Sequence, residues 1–342
     1  MDELSWPHLL ARLLAGRSLS ARETSWAMET IMEGNATPAQ FGAFVAALRA
    51  KGETTDEILG LVTTMRRFAR RVVAEGPIVD TCGTGGDRAA TFNVSTVAAF
   101  IAAGAGARVA KHGNRAASSA CGSADLLEEL GVRIDLGPEG VAACLEQAGI
   151  GFCFAPVFHP SMRHVAGLRR ELGVPTVFNF LGPLTNPAGA RHQALGVSEE
   201  SMAPKMAEVL GQLGSVHALV FCASDGLDEI TLAGPTRLWE QQGGRITESV
   251  IEPLDLGLAR ASREALRGGG PSDNANIVTH VLTGGSGPTR DCALINAAAA
   301  IIAADLASDW GMALVRAQES VDSGRARAAL ECLIEVSNRT RG

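Results

Sequence analysis

Two glycine-rich stretches, each directly after a short apolar segment, constrain the fold of this chain more than any other feature. The first, Gly83 to Asp87, follows Ile78-Val79, and the second, Lys111 to Arg115, follows Arg108 to Ala110. Short apolar segments of this kind predict β-strands, and glycine supplies the backbone angles of a tight turn. Two such turns on neighbouring strands predict a parallel sheet with a ligand crevice at the carboxyl ends of its strands.

The segment between the two loops predicts an anion-binding pocket. Asn93 or Ser95 can cap a helix that continues through Phe100, and a helix N-terminus beside consecutive glycine N–H groups favours a phosphate. Two such loops suit a ligand with two phosphate groups. The alternative is an ordinary pair of strand-to-helix turns. The first loop lacks both the Walker Lys-Ser/Thr ending and Gly-x-Gly-x-x-Gly spacing, which argues against a P-loop ATPase and a nicotinamide enzyme.

Composition excludes several classes of protein. The chain has 342 residues, of which 46% are hydrophobic and 20% charged, enough for a large core in two domains or a single large one. Its net charge of −7 argues against a protein that coats nucleic acid. The seven cysteines form no Cys-x-x-Cys pair, which predicts a reducing, cytoplasmic setting without structural zinc. We find no secretory signal and no apolar run long enough to span a membrane.

The sequence changes character near residue 75. Before that point three helix-start signals, at Ser20, Thr37 and Thr54, occur without a convincing strand. After it, short apolar strands alternate with helical segments, which is typical of right-handed crossover units and a parallel sheet.

We therefore predict an α/β protein with a small N-terminal all-helical domain and a large α/β domain, whose central, mainly parallel sheet is flanked by helices. The helical domain is predicted to cover residues 1–72. The proline-rich stretch 165–190 is predicted to return to it. Residues 76–164 and 191–342 would then form the α/β domain.

Two adjacent acids follow the strand that ends near Cys222. Asp228 and Glu229 would lie at the same sheet edge as the glycine loops, and hard carboxylate oxygens are suitable ligands for Mg²⁺. Together with the Ser95 hydroxyl, they could hold ions that neutralise a pyrophosphate leaving group. The alternative is a solvated acidic turn.

Other polar residues leave several functions open. Arg169 and Arg170 lie on a predicted helix, where a guanidinium can bind a carboxylate through two hydrogen bonds or simply face solvent. His112 could donate a hydrogen bond, act as a base or be a loop residue. No Ser-His-Asp or Cys-His set is evident, so covalent catalysis is not predicted.

Five motifs, in this order and at these separations, resemble those of the anthranilate phosphoribosyltransferases over nearly the whole chain. They are Gly83 to Asp87, Asn93 to Thr96, Lys111 to Arg115, Phe178 to Pro187 and Asp225 to Glu229. The resemblance implies transfer of a phosphoribosyl group from 5-phosphoribosyl 1-pyrophosphate to the amine of anthranilate, in tryptophan biosynthesis. It also implies a homodimer paired through the helical domains.

The resemblance further implies a role for individual residues. Phosphoribosyl pyrophosphate would be bound by Gly83, Gly86, Asp87, Thr91, Asn93, Val94, Ser95, Thr96, Lys111, His112, Gly113, Asn114, Arg115, Ala116, Ala117, Ser118, Ser119 and Ser123. Anthranilate would be bound by Gly83, Asn114 and Arg169, near His112 and Pro183, with His159 lining its approach path. Two Mg²⁺ ions would be held by Ser95, Asp228 and Glu229.

Two departures and two rivals remain. Many relatives carry two histidines where this chain has Phe158-His159, and the chain has no tyrosine to stack on an aromatic substrate. We predict that pyrophosphate leaves the anomeric carbon while the neutral amine attacks, without a catalytic general base. The rivals are a nucleoside phosphorylase of similar fold and a non-catalytic relative that binds nucleic acid.

Overall fold

The computed structural model describes residues 4–87, 89–116 and 120–340. Four helices come first: α1 Trp6–Leu14, α2 Ala21–Met32, α3 Pro38–Lys51 and α4 Thr55–Phe68. The other helices are α5 Val94–Gly104, α6 Ser123–Glu129, α7 Pro138–Gln147, α8 Ala155–Phe158, α9 Arg163–Leu172, α10 Phe178–Leu181, α11 Ala203–Gln212, α12 Pro271–Leu282, α13 Pro288–Ala303, α14 Trp310–Asp322 and α15 Arg325–Arg339. Within these ranges, no helix is long and apolar enough to cross a membrane.

The three helix-start signals of the sequence are confirmed. Ser20, Thr37 and Thr54 each cap a helix by accepting a hydrogen bond from the backbone N–H three residues on, and the Glu or Gln at that position bonds back to the cap. These reciprocal bonds satisfy N–H groups that a helix start leaves unpaired. Helix α2 packs closely on α4, because a Cβ at Gly60 would lie 2.1 Å from Thr24 Oγ1.

The seven strands form one sheet. They are β1 Val79–Gly83, β2 Val109–Gly113, β3 Ile150–Phe154, β4 His192–Gly196, β5 His217–Ala223, β6 Thr236–Gln242 and β7 Arg245–Ile251. The order across the sheet is β3-β2-β1-β4-β5-β6-β7, and only the β5–β6 and β6–β7 pairs are antiparallel. The predicted fold class, an all-helical N-terminal part and a mainly parallel sheet flanked by helices, is confirmed.

The strands run further than the sequence predicted. A strand from Arg108 to Ala110 was expected to lead through Lys111 to a turn at Gly113, but Lys111 and Gly113 both lie in β2, where Gly113 pairs with Phe154 of β3. Gly83 is likewise the last residue of β1 and pairs with Gly196 of β4. In both places the backbone ladder to a neighbouring strand overrides the turn preference of glycine.

Two apolar cores lie on opposite faces of the sheet. One surrounds α5 and α13 and includes Phe100 and Ile301. The other joins the N-terminal helices to the opposite face, bringing Phe41 and Phe44 together with Val220. Residues of the 165–190 stretch, among them Phe178, belong to this second core, which supports the predicted return to the helical domain. The boundaries of the two domains stay a prediction.

Polar bonds connect the N-terminal helices to the rest of the chain. Arg66 Nε of α4 donates to the Leu184 carbonyl at 2.7 Å, and Lys205 Nζ of α11 donates to the Glu53 carbonyl at 2.7 Å. The Val72 N–H donates to the Pro187 carbonyl at 3.1 Å. The segment that follows α10 is therefore held from the helical side.

Candidate active site

The first glycine loop is built directly against Asp228. The Asp228 carboxylate accepts a hydrogen bond from the Gly85 N–H at 2.7 Å. A Cβ at Gly83 would lie 2.1 Å from Asp228 Oδ2, so only glycine fits there. Ser198 Oγ donates to the Gly85 carbonyl at 2.9 Å and fixes the loop from its other side. The predicted convergence of the acidic turn and the glycine loop is present.

Glu229 reaches the start of α5. Its Oε1 accepts a hydrogen bond from the Ser95 N–H at 3.0 Å, and Ser95 Oγ in turn accepts one from Lys111 Nζ at 3.1 Å. The structure therefore brings together the three predicted metal ligands, Ser95, Asp228 and Glu229. It also shows that the N–H groups of Gly85 and Ser95, which we expected to face an anion, donate to these carboxylates instead.

Burial and mutual repulsion destabilise the charged forms of the two acids in this site. Burial first, and then the carboxylate of Asp87, raise the pKa of Asp228 to about 7. Burial raises the pKa of Glu229 well above its usual value, and Asp228 adds to that shift. Lys111 is 3% exposed. Burial lowers its pKa, while Asp80 and the two acids oppose the change. Clustered carboxylates with one nearby ammonium favour an added cation.

The second loop is closed by Asp125. Asp125 Oδ2 accepts hydrogen bonds from the N–H groups of Ala116 and Gly122, both at 2.9 Å. Arg115 donates to Asp125 at 3.0 Å and to Glu128 at 2.8 Å, and these bonds, that to Glu128 foremost, raise its pKa. Arg115 is thus engaged with carboxylates of α6. Ala117, Ser118 and Ser119 lie outside the described residues.

Gly113 also requires a small residue at its position. A Cβ there would lie 2.1 Å from Ser123 Oγ, and Ser123 Oγ donates to the Asn114 carbonyl at 3.3 Å. Asn114 is exposed and its Oδ1 accepts a bond from the Arg115 N–H at 2.8 Å. The backbone of this loop is thus held at both ends.

The start of α5 differs from the cap that the sequence predicted. Asn93 occupies the N-cap position, but its side chain does not cap the helix. It donates instead to the Cys121 carbonyl at 3.2 Å, which ties the two loops together. Val94 and Thr96 are each 1% exposed as whole residues, and their N–H groups donate to the Phe92 and Asn93 carbonyls, so neither residue faces a ligand in this arrangement. Thr91 pairs with Arg267 in an isolated bridge, and Gly86 and Asp87 lie in the half-buried to exposed loop between β1 and this bridge.

Arg169 lies on α9, where its guanidinium packs beside an aromatic ring. Its guanidinium is 5.5 Å from the centre of the Phe178 ring, and burial lowers its pKa. In the described part of the chain it forms no ion pair, whereas the neighbouring Arg170 is exposed. A half-buried guanidinium without a carboxylate partner is suited to bind one from a ligand.

His112 and His159 face each other beneath the second loop. Their ring centres are 5.1 Å apart, and His112 Nδ1 lies 3.2 Å from the Gly182 carbonyl. Burial lowers the pKa of His112 to about 3 and that of His159 to about 4. Both imidazoles are therefore neutral at physiological pH, and the low pKa of His112 makes it a weak base.

Several polar residues of the site were missed by sequence reasoning. Asp80 is fully buried on β1 and accepts a bond from the His112 N–H at 3.2 Å. Asn186 Nδ2 donates to the Ala110 carbonyl at 2.7 Å, and Gln193 Nε2 donates to the Pro183 carbonyl at 2.5 Å. The signal for Asp80 was available, because a charged residue inside a short apolar strand is rarely buried without a partner.

Two family models match consecutive parts of the chain. Residues 7–69 match the helical bundle domain of a glycosyl transferase family, and residues 75–327 match the a/b domain of that family. The anthranilate phosphoribosyltransferase of Chloroflexus aggregans is 54% identical over 330 residues, covering 96% of this chain and 97% of that protein.

Solved structures agree with this match. The crystal structure of the enzyme of that name from Thermus thermophilus superposes with a TM-score of 0.91 at 42% identity, covering 96% of this chain and 99% of that one. The one from Saccharomyces cerevisiae in complex with PRPP and Mg gives a TM-score of 0.90 at 29% identity, covering 99% of both chains. The chain therefore belongs to the anthranilate phosphoribosyltransferase family.

Proposed function

We propose that this protein transfers the phosphoribosyl group from 5-phosphoribosyl 1-pyrophosphate to the amine of anthranilate, giving N-(5-phosphoribosyl)anthranilate and pyrophosphate, in tryptophan biosynthesis. The observation that carries the proposal is the buried pair of acids, Asp228 and Glu229, hydrogen-bonded to the first glycine loop and to the start of α5. A nucleoside phosphorylase or a nucleic-acid-binding relative has no need of such an acid pair.

The residues present fit magnesium. Two buried carboxylates with raised pKa values and the Ser95 hydroxyl form a hard oxygen donor set with excess negative charge. Mg²⁺ usually keeps several waters and takes further ligands from substrate phosphates, so one or two protein carboxylates can hold it. When bound, it would neutralise charge on the departing pyrophosphate. We propose two ions.

The two loops would bind the diphosphorylated sugar. They end neighbouring strands, and Asn93 and Cys121 join them by a hydrogen bond. We retain the proposed binding set, in which Val94 and Thr96 are buried and would need the start of α5 to shift before they could meet the sugar. Lys111, which donates to the Thr81 carbonyl at 2.7 Å and to Ser95 Oγ, would act from behind the loop by supporting the Ser95 hydroxyl and offsetting the acids.

Anthranilate would be bound by Gly83, Asn114 and Arg169, with Arg169 meeting its carboxylate. The cost of holding a half-buried guanidinium without an acid partner supports this assignment. Chemistry then depends on placing the neutral amine in line with the anomeric carbon, which is catalysis by positioning. No general base is proposed, because the imidazoles of His112 and His159 are too weakly basic.

Assembly and location complete the proposal. We propose a homodimer formed through the helical domain, where Leu14 is 79% exposed, and a cytoplasmic location. Residues 1–72 with 165–190 would form the domain that closes on the remainder of the chain, because Phe178 and Leu184 belong to the same core as the N-terminal helices.

The test is a substrate comparison with the purified protein. In the presence of Mg²⁺, loss of anthranilate fluorescence should require phosphoribosyl pyrophosphate and should yield the phosphoribosyl product by chromatography. The same protein should not split pyrimidine nucleosides with inorganic phosphate and should not shift DNA in a gel. Phosphorolysis without transfer would establish the first rival, and tight DNA binding without turnover the second.

A further inference from the structure

Strands β1 and β2 are neighbours in the sheet, but the ladder of backbone hydrogen bonds between them stops after its first pair. They are in register at a single pair, Val79 opposite Val109. By contrast, β1 with β4 and β2 with β3 are each paired over five residues. The Val79 N–H donates to the Arg108 carbonyl at 2.9 Å, which starts a parallel ladder. Beyond that point three of the facing backbone groups have side-chain partners.

Two of these groups are occupied by side chains of the strands themselves. If the register continued, the His112 N–H would donate to the Thr81 carbonyl. Instead, the His112 N–H donates to Asp80 Oδ1 at 3.2 Å. The Thr81 carbonyl accepts from Lys111 Nζ at 2.7 Å. Both bonds are buried, so no water is needed to satisfy the separated groups.

A third group is satisfied from outside the sheet. The Ala110 carbonyl, which in a regular ladder would face β1, accepts from Asn186 Nδ2 at 2.7 Å. Asn186 Oδ1 accepts from the Ala188 N–H at 2.9 Å, which fixes the amide with its nitrogen toward Ala110. Asn186 is 4% exposed and belongs to the motif after α10. That segment therefore reaches into the gap between the two strands.

We propose that Asp80, Lys111 and Asn186 form a wedge that holds the carboxyl ends of β1 and β2 apart and so sets the distance between the two glycine-rich loops. Apolar side chains and a continued ladder would satisfy the same backbone groups without burying a carboxylate and an ammonium. Strands that part at their carboxyl ends widen the crevice where ligands of such sheets bind.

Asp80 and Asn186 are therefore positioning residues for the sugar site. Asp80 is fully buried and Asn186 is 4% exposed, so their proposed role is to position the strands rather than to contact a ligand. Their catalytic consequence rests on the proposed function, whereas the separation of the strands does not. A loop spacing that is wrong by a fraction of an ångström would weaken binding of the diphosphorylated sugar before it affects anthranilate.

The test compares Asp80→Val with the nearly isosteric Asp80→Asn. In Asp80→Val the acceptor is lost, so we expect the His112 N–H to bond to the Thr81 carbonyl in a crystal structure. Phosphoribosyl pyrophosphate with Mg²⁺ should then bind about tenfold or more weakly by calorimetry. Asp80→Asn keeps the acceptor and should recover most of that affinity. Unchanged strand spacing and affinity in Asp80→Val, or an equal loss in Asp80→Asn, would overturn the proposal.

Asn186→Leu tests the same device from the other side and remains informative if Asp80→Val does not fold. It removes the donor to Ala110 while filling a similar volume, and should also lower affinity for the sugar about tenfold. If wild-type protein binds the sugar but does not consume anthranilate, the proposed function is contradicted and the wedge is not. If wild-type protein is active and the Asn186→Leu and Asp80→Val variants bind the sugar as tightly as it does, the wedge is contradicted and the proposed function is not.

Discussion

The carboxylate of Asp228 accepts a hydrogen bond from the Gly85 N–H at 2.7 Å, across 143 residues of sequence. This contact joins the acidic turn to the first glycine loop, and it leaves no room for a side chain at Gly83. One geometric relationship thus places the proposed metal ligand and the proposed phosphate loop in the same pocket.

Replacing Gly83 by alanine should disrupt both. The added Cβ would lie 2.1 Å from Asp228 Oδ2 and 3.0 Å from the Asp228 carbonyl, so backbone as well as side chain must move. We expect a stability loss of about 1–3 kcal/mol and a fall in kcat/KM of about 100-fold. Gly167→Ala on α9 is the control, since its Cβ meets no atom within 4 Å. Equal activity of the two variants would show that the Gly83 contact is unimportant.

Asp228→Asn should separate stability from activity. The amide oxygen can still accept from Gly85, but the negative charge beside Asp87 and Glu229 is removed. In chelator at about pH 8, where the wild-type carboxylate is ionised, the variant should unfold at a higher temperature. With Mg²⁺ and both substrates it should lose about 100-fold in kcat. A variant that is both less stable in chelator and fully active would contradict this assignment.

Arg169→Ala should act on one substrate only. We expect KM for anthranilate to rise about tenfold or more, because a charge-assisted bond to the carboxylate is lost, while KM for the phosphorylated sugar stays unchanged. Arg170→Ala is the matched control, because Arg170 is the exposed neighbour on the same helix. Initial rates over both substrate concentrations decide the matter, and a rise in KM for the sugar instead would move Arg169 to the other subsite.

The two neutral imidazoles predict sensitivity to acid. Burial lowers the pKa of His159 from 6.5 to about 4, and that of His112 to about 3. The unfolded chain therefore binds more protons below about pH 6.5, and stability falls as pH falls from there, by at most roughly 1.4 kcal/mol per pH unit for each group. We expect His159→Gln to lower the slope of the free energy of unfolding against pH by the equivalent of about one proton. Denaturant titrations at a series of pH values from about 7 to about 5 measure that slope. An unchanged slope would mean that His159 is already protonated in the folded protein.

Local signals in the sequence predicted much of the fold. The caps at Ser20, Thr37 and Thr54 depend on residues three apart, so they can be recognised without tertiary information. The meeting of Asp228 with the glycine loop was predictable because parallel strands share a carboxyl edge.

Features that depend on side-chain reach were not predictable. The bond of Asp80 to His112, and that of Asn186 to Ala110, lie where the β1–β2 register ends after one pair, which no local sequence signal indicates. The burial of Val94 and Thr96 follows from the orientation of α5 against the sheet. The first glycine-rich loop can be recognised from the sequence as a binding loop. The sequence does not show which of its backbone N–H groups will donate to a distant carboxylate.

The most direct test is to follow anthranilate and pyrophosphate in one reaction. Purified protein, phosphoribosyl pyrophosphate, anthranilate and Mg²⁺ should consume anthranilate and release pyrophosphate in equal amounts, and chelation should stop both. Pyrophosphate release that does not depend on anthranilate, or consumption of anthranilate that persists in Asp228→Asn with the metal chelated, would contradict the proposed reaction at this site.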